Sequence, residues 1–348
     1  MTIPIALLTF IFFDFTWITM LIVTTIGGLL FLAMFITFGF AVAQQLNDLK
    51  AFAIQQQIRV TEAYQRFVPP ELLKNLGKAS ILDVSLGDQV NVDMSILFSD
   101  IRSFTSLSEK MTPKENFAFV NAYLNRIGPV IRKNKGYIDK FMGDGVMALF
   151  QNNPDSAVKA AIDMQHEIFK YNNHAEKNEK HRIKIGIGIN TGKMMLGTLG
   201  ESNRMEGSVI SDAVNLASRL ENLTKTYGCN IIISEETYKN LNKKLFKIRK
   251  IDTVHVKGKT KSTGIYEVID GEETEIRLLK IKSNSKFKKA ISNYQNQNFE
   301  DALKLFREIL SLNSKDYLCK VYIDRCKDLI KKGWDKNNWS YVEKLENK

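Results

Sequence analysis

The chain has 348 residues, of which 44% are hydrophobic and 25% are charged, and its formal net charge is +11. This length accommodates about two domains, and the composition is ordinary for a globular protein. The excess positive charge comes largely from a lysine-rich final third, in which no stacking aromatic residues alternate with the lysines in the way that nucleic-acid binding uses. That pattern favours a solvated surface or contact with anionic lipid over nucleic acid as a partner. The three cysteines (Cys229, Cys319 and Cys326) are odd in number and lack metal-ligand spacing, so a reducing compartment is expected.

Residues 1–43 are predicted to form a membrane region. Between residues 3 and 43 the only formally charged side chain is Asp14. Residues 17–43 exceed the ~20 apolar residues that cross a bilayer. No polar face recurs there at helical spacing, so we favour a membrane span over the core helix of a large soluble domain. Residues 3–13 are too short to cross alone, and are either the tail of another span or a re-entrant stub.

The charges that follow the span predict its orientation. Lys50, Arg59 and Arg66 come after it and no cation precedes it. By the positive-inside tendency, everything after Ala43 lies in the cytoplasm, at the inner (plasma) membrane.

Residues 44–67 are predicted to be a coiled-coil signalling helix. Apolar positions with one polar exception repeat at alternating steps of three and four, at Leu46, Leu49, Ala53, Gln56, Val60, Ala63 and Phe67. A single amphipathic helix lying on the next domain is the alternative. A parallel two-chain coil is favoured, because a span that runs directly into a heptad seam holds two copies in register. Pro69 and Pro70 end the helix.

Residues 68–270 are predicted to form one α+β domain with a mixed, mainly antiparallel sheet. Its clearest helix start is Thr112-Pro113-Lys114-Glu115, a capping box with proline at the first helical position. The predicted elements are a strand at 92–99, a helix with Phe117, Val120, Leu124, Ile127 and Ile131 on one side, a hairpin at 136–150, a helix starting at Asn153-Pro154, a half-buried strand at 183–189, an antiparallel return at 194–199, a helix at 211–226, a strand at 230–233, and strands at 247–256 and 264–269.

Residues 271–348 contain only helical patterns. Apolar positions predict two antiparallel helices and then a third at 316–331, with a spacing that resembles a tetratricopeptide unit. One such unit cannot bury its own apolar face. It is therefore expected to pack on the preceding α+β domain or on a second copy.

Two acidic residues at the ends of predicted strands carry the first chemical signal. Asp144 lies at the Gly143-Asp144-Gly145 tip of the hairpin, a composition that any tight turn uses. A second acid, Asp100, follows a different buried strand. Two acids displayed at turns of one sheet are what a divalent-metal site requires.

The stretch FSDIRSFT at residues 98–105, joined to the hairpin, closely resembles class III nucleotidyl cyclases, and the resemblance covers most of residues 67–269. It implies a ferredoxin-like, palm-type catalytic domain. In that family two carboxylates hold two Mg²⁺ or Mn²⁺ ions, one activating the ribose 3′-hydroxyl and the other holding the triphosphate. The resemblance assigns these roles to Asp100 and Asp144, with the Ile101 carbonyl as a further ligand.

Further family motifs extend the implied site. In Asn215-Leu216-Ala217-Ser218-Arg219, the amide of Asn215 would orient the ribose and Arg219 would contact the transferring phosphate. Base choice would depend on Lys140, whose ammonium donates to adenine N1 and clashes with the N1–H of guanine. Its partner position is Ser208, whose hydroxyl resembles the lysine-plus-hydroxyl (class IIIb-like) subgroup.

Two other segments are less specific. Lys257 and Lys259 resemble the family's loop near the β- and γ-phosphates, although a solvated basic hairpin fits nearly as well. The glycines of residues 185–192 do not have the spacing of a dinucleotide fingerprint, so close packing on the sheet is the better interpretation.

Taken together, the resemblance implies a membrane-anchored adenylate cyclase that converts ATP into 3′,5′-cyclic AMP and pyrophosphate. It would be a homodimer, with metal carboxylates from one subunit and the base, ribose and arginine groups from the other. A guanylate cyclase is the nearest alternative, and Lys140 argues against it. A non-catalytic cyclase-like dimerisation module is the second alternative, and it is disfavoured because Asp100, Asp144, Asn215 and Arg219 are all present.

Overall fold

The structure, a computed structural model, describes residues 5–151, 153–177, 182–255, 262–335 and 339–344. The chain divides into two compact units, one ending at Val68 and the other beginning at Pro69.

The first unit is one long helix, α1 (Ile5–Tyr64), of 60 residues. Residues 5–13 belong to this continuous helix, so they are neither a separate tail nor a re-entrant stub. The reason is local, because no glycine or proline interrupts the chain there. Among the described residues this is the one helix long and apolar enough to cross a membrane. It ends at Tyr64, before Pro69 as the sequence predicts, but Phe67 of the predicted heptad seam lies beyond its end.

Threonine hydroxyls within α1 are satisfied inside the helix itself. Thr19 and Thr24 each donate to main-chain carbonyls three and four residues earlier, at 2.9–3.0 Å. Thr25 does the same at 2.9 Å. These polar groups therefore need no water, which suits an apolar surrounding.

The second unit contains the remaining helices and strands. In chain order they are α2 (Pro70–Asn75), β1 (Gln89–Ile101), α3 (Phe104–Ser108), α4 (Pro113–Lys133), β2 (Gly136–Met142), β3 (Gly145–Gln151), α5 (Pro154–Lys177), β4 (Ile185–Glu201), β5 (Arg204–Ile210), α6 (Asp212–Tyr227), β6 (Ile231–Ser234), α7 (Glu235–Asn240), β7 (Ile248–His255), β8 (Ser262–Val268), α8 (Thr274–Gln295), α9 (Phe299–Leu312), α10 (Tyr317–Lys332) and β9 (Glu343–Lys344).

One sheet organises this unit. Its strand order is β2-β3-β1-β4-β6-β8-β7-β9, with β5 paired to β4. The β4–β6 and β7–β9 pairs are parallel, and the other pairs are antiparallel. Apolar side chains on one face pack with α4 and α5. Those on the other face pack with α6 and with α8 to α10. The predicted α+β class with a mixed, mainly antiparallel sheet is confirmed.

Local sequence signals account for several element ends. Thr112 and Glu115 form the predicted reciprocal capping box at the start of α4. Gly143, at the β2–β3 turn, has a φ of 65°, a conformation that glycine adopts without a Cβ penalty. One expectation is wrong, because Phe117 is 76% exposed. Phe119 packs inward instead and stacks on Phe104.

Strand β4 differs from the sequence prediction in length and burial. Residues 194–199 do not return antiparallel. They continue the same strand, which pairs with β1 from Ile185 opposite Ile101 to Gly197 opposite Gln89. The return strand is β5. The segment is also not half-buried, since its first six residues are all buried.

The glycines of β4 explain that burial, because helix α6 lies directly on them. A methyl group at Gly186 would overlap the Thr224 hydroxyl, and one at Gly188 would overlap the main-chain nitrogen of Glu221. The expectation that these glycines serve close packing is confirmed. The absence of two side chains therefore sets how near α6 comes to the sheet.

The three C-terminal helices lie where the sequence predicts, and their likeness to a tetratricopeptide unit remains a prediction. They share one hydrophobic core with the sheet and α6. Its fully buried members include Leu220, Tyr227, Ile251, Phe287, Phe306 and Cys326. All three cysteines are buried and free.

A buried network of charges joins these helices to the sheet. Arg249 of β7 donates two hydrogen bonds to Asp316 at 2.9 Å and one to Glu267 of β8 at 2.5 Å. Lys280 of α8 donates to Glu267 at 2.6 Å and to Glu272 at 2.7 Å. Because every charge has an opposite partner, their burial is tolerated.

Gly188→Ala is expected to lower the free energy of unfolding by about 1–3 kcal/mol, because the added methyl forces α6 away from β4. Denaturant unfolding of the full chain in detergent measures this. Gly192→Ala is the matched control, since its Cβ would meet only the Ala213 methyl at 3.4 Å, an ordinary contact. Equal effects of the two substitutions would contradict the role given to Gly188.

Candidate functional site

Two carboxyl groups converge where β1 ends and the β2–β3 hairpin turns. Asp144 accepts a hydrogen bond from the Ile101 main-chain nitrogen at 3.1 Å. Its side chain also faces the carboxyl of Asp100 closely enough for the two groups to interact. Burial and this facing carboxyl raise the pKa of Asp144 to about 7. Two acids pressed together in this way form a site of concentrated negative potential.

The donor set fits a divalent cation that brings its own additional ligands. No group of three or more His, Cys, Asp or Glu side chains able to hold a metal occurs in the part of the chain that the structure describes. Mg²⁺ is typically bound by one or two carboxylates together with substrate phosphates, not by an all-protein cage. The Asp100–Asp144 pair matches that chemistry. A bound cation would also relieve the repulsion between the two ionised groups.

Helix α6 supplies charges near the acid pair that the sequence analysis missed. The ammonium of Lys225 lies 3.6 Å from the Asp100 carboxylate. Glu221, one turn earlier, is 6% exposed and its Oε1 atom has no hydrogen-bond partner. Burial raises the pKa of Glu221 to about 7, partly offset by Lys225. The i, i+4 spacing of Glu221 and Lys225 was the available signal, but it is common on helix surfaces.

Arg102 also connects the acid strand to α6. Its guanidinium donates to the Thr224 carbonyl at 3.2 Å and to the Cys229 carbonyl. Burial lowers the pKa of Arg102. The residue lies inside the FSDIRSFT motif, yet nothing in the sequence indicated that it would bind the end of a helix more than a hundred residues away.

The predicted base-recognition residues are in direct contact. Lys140 of β2 donates to the Ser208 hydroxyl of β5 at 3.1 Å, and to the Glu206 carboxylate at 2.9 Å. Glu206 was not predicted. The Lys140 ammonium lowers the pKa of Glu206 through this hydrogen bond. Since an ammonium has three N–H donors, these contacts leave one for a ligand.

Asn215 and Arg219 both lie on α6, four residues apart, with Asn215 exposed and Arg219 half-buried. Residues four apart on a helix share one side. Lys257 and Lys259 lie outside the described residues. The structure thus brings together Asp100 with Asp144 and Lys140 with Ser208, and puts Asn215 and Arg219 on the helix that contacts the acid strand.

Comparisons with known proteins converge on one family. The family model described as the adenylate and guanylate cyclase catalytic domain matches residues 88–269. The chain is 38% identical over 280 residues to the terminal-differentiation specific adenylate cyclase of Dictyostelium discoideum, covering 76% of this chain. It is 41% identical over 238 residues to an adenylate cyclase of Anabaena cylindrica, covering 66% of this chain.

A solved structure of a bacterial light-regulated adenylyl cyclase is similar in fold. It matches with a TM-score of 0.55 and 29% identity, over 64% of each chain. The chain spans 13% of the Dictyostelium relative and 47% of the Anabaena relative. The similarity therefore concerns a part of these longer proteins.

Asp144→Asn is expected to weaken Mn²⁺ binding by the full chain about tenfold or more, because it removes one of the two facing carboxylates. Loss of the free-ion paramagnetic resonance signal on titration measures binding. Asp139→Asn is the matched control, because Asp139 is a buried acid on the same hairpin that neighbours Lys140 at 3.7 Å. Equal weakening in both variants would count against a metal role for Asp144.

Proposed function

Since this chain belongs to the adenylate and guanylate cyclase family, we propose that it is an adenylate cyclase, converting ATP into 3′,5′-cyclic AMP and pyrophosphate. The observation that carries the proposal is the facing pair Asp100–Asp144, whose carboxylates suit the cation that accompanies a nucleoside triphosphate. The two relatives above are named adenylate cyclases, which supports the choice of ATP.

The base is selected by the Lys140–Ser208 pair. Lys140 has an N–H left to donate to adenine N1, whereas the N1–H of guanine would face another donor. The Ser208 hydroxyl accepts from Lys140 at 3.1 Å. It keeps a second lone pair for the adenine amino group. This pairing favours ATP over GTP and supports membership of the lysine-plus-hydroxyl subgroup.

The reaction needs negative charge to be stabilised at the phosphates. Asp100 and Asp144, with the Ile101 carbonyl, would hold two Mg²⁺ or Mn²⁺ ions. Such ions supply a lowered pKa for the ribose 3′-hydroxyl and neutralise charge on the departing pyrophosphate. Asn215 orients the ribose, and the fork of Arg219 binds the oxygens of the α-phosphate as their charge builds up. Lys257 or Lys259 contacts the outer phosphates.

Two copies of the chain complete each active centre in this proposal. One subunit supplies Asp100 and Asp144, and the other supplies Lys140, Ser208, Asn215 and Arg219. The heptad seam of α1 supports the dimer, because its apolar residues Leu46, Leu49 and Val60 are each more than half exposed in the single chain. A parallel two-chain coil would cover them.

The apolar part of α1 anchors the dimer in the plasma membrane, with the later residues in the cytoplasm. Its large side chains face outward, with Trp17 at 64% and Phe40 at 73% exposure. Its threonine hydroxyls are satisfied within the helix. Both features suit lipid as the surrounding medium.

The detergent-solubilised full chain, supplied with Mn²⁺, is expected to form cyclic AMP from ATP and much less cyclic product from GTP. Chromatography of the products measures both. Arg219→Ala should lower kcat by about 10²–10³, as expected for loss of a group that stabilises transition-state charge. A preference for GTP would overturn the base assignment, and undiminished turnover in Arg219→Ala would overturn the arginine's role.

Co-expression of Asp144→Asn and Arg219→Ala subunits tests the shared centres. Random pairing makes half of the dimers mixed, each with one intact centre of two, so about a quarter of the wild-type activity should return. Each variant expressed alone is the control. If the mixture stayed as inactive as its components, the carboxylates and the arginine would have to act within one subunit.

A further inference from the structure

The last turn of α6 lies between the C-terminal helices and the acid pair. On one side, Lys225 lies 3.6 Å from Asp100. Arg102, two residues after Asp100, donates to the carbonyls of Thr224 and Cys229. The position of this turn therefore fixes charges that neighbour the catalytic carboxylates.

The other side of the same turn is held by α10. Gly228 ends α6 in the left-handed conformation, with a φ of 62°, and a side chain there would press on the ring of Tyr317. Tyr227, the last residue of α6, is fully buried. Its ring lies under the Arg325 guanidinium at 5.7 Å. The C-terminal helices thus cover the end of the helix that carries Asn215 and Arg219.

A hydrogen-bonded trio locks this contact. The Tyr227 hydroxyl donates to Asp252 of β7 at 2.5 Å. Arg325 of α10 donates to the same carboxylate oxygen at 2.7 Å and lies 3.4 Å from the Tyr227 hydroxyl. Burial and the Asp252 carboxylate raise the pKa of Tyr227, so its hydroxyl remains a donor. Asp252 is thereby shared between the catalytic helix and the C-terminal helices.

We propose that Tyr227 is a positioning residue for the cyclase reaction, held by Asp252 and Arg325, so that the C-terminal helices set the position of the catalytic helix. This inference rests on the proposed function. It differs from it in assigning a catalytic consequence to a segment outside the matched family region at 88–269. Tyr227 touches no substrate, and it acts through the last turn of α6.

Loss of the Tyr227 hydroxyl leaves the ring packing and the Asp252–Arg325 ion pair in place. The last turn of α6 then loses its side-chain hydrogen bond to β7, and Lys225 and Arg102 shift relative to Asp100. Since displacements of about 1 Å can cost up to about 10²-fold in rate, Tyr227→Phe is expected to lower kcat roughly tenfold. The KM for ATP should change less than about twofold, because Lys140 and Ser208 are untouched.

Tyr322→Phe is the matched control. Tyr322 is equally buried in the same core, and its hydroxyl donates to the Ile251 carbonyl at 2.7 Å. It joins α10 to β7 without touching α6 through that bond. Both variants are made in the full chain in detergent and compared for kcat, KM and thermal midpoint. A second readout, amide hydrogen exchange of residues 221–229, reports the position of the turn without any activity.

The inference is supported if Tyr227→Phe lowers kcat and speeds exchange in this turn while Tyr322→Phe does neither. It is overturned if Tyr227→Phe keeps wild-type kcat, or if Tyr322→Phe lowers kcat equally, which would mean a general loss of stability. A wild-type chain that forms no cyclic AMP would overturn the proposed function and the catalytic consequence together. The exchange measurement would then still decide whether Tyr227 holds α6.

Discussion

The close approach of α6 to β4 is the constraint on which the rest of the site depends. Two glycines, Gly186 and Gly188, leave no room for side chains between helix and strand. The helix therefore lies low on the sheet, and Glu221 and Lys225 come near the acid pair on the neighbouring strand β1. The same close contact with the sheet fixes the positions of Asn215 and Arg219, which lie on this helix. The two glycines thus determine where the charged side chains of α6 lie.

Charge also organises the contact between the sheet and the C-terminal helices, by a different route. Burial alone would raise the pKa of Glu267, but Arg249 and Lys280 outweigh it and lower the pKa to about 2. The network holds because every member has an opposite partner within hydrogen-bond distance. At the acid pair, by contrast, like charges face each other and Glu221 keeps an unpartnered oxygen. Paired charges therefore hold the C-terminal helices on the sheet, whereas the carboxylates around the acid pair are left available to a ligand.

The sequence predicted features that depend on short-range signals. The capping box at Thr112 and the glycine turn at Gly143 need only a few neighbouring residues, and both appear where expected. The course of β4 could not be predicted in this way. Thr191-Gly192 has the composition of a turn, and only the pairing with β1 along the whole strand shows that the strand continues through it. Phe117 was misassigned because helical spacing does not tell where along α4 the packing begins. Ile127 and Ile131 of the same stripe are fully buried, whereas Phe117 near the start of the helix is exposed.

The site followed the same division. A family resemblance assigned roles to Asp100, Asp144, Lys140 and Ser208, and the structure brings them together in two pairs. Their partners Glu206, Lys225 and Arg102 were missed, because each contact joins segments distant in sequence. Long-range electrostatic pairing leaves little trace in a single sequence.

The shared core has a practical consequence for moving this cyclase-family region into another protein. A cut after Ile269 would uncover Tyr227, Ile251 and Ile265, and would strip Arg249 of its Asp316 partner. Arg249 would keep Glu267 as its partner, but the newly exposed apolar surface favours aggregation. The smallest segment that could be transferred is therefore longer than the cyclase motifs, and it must include the C-terminal helices.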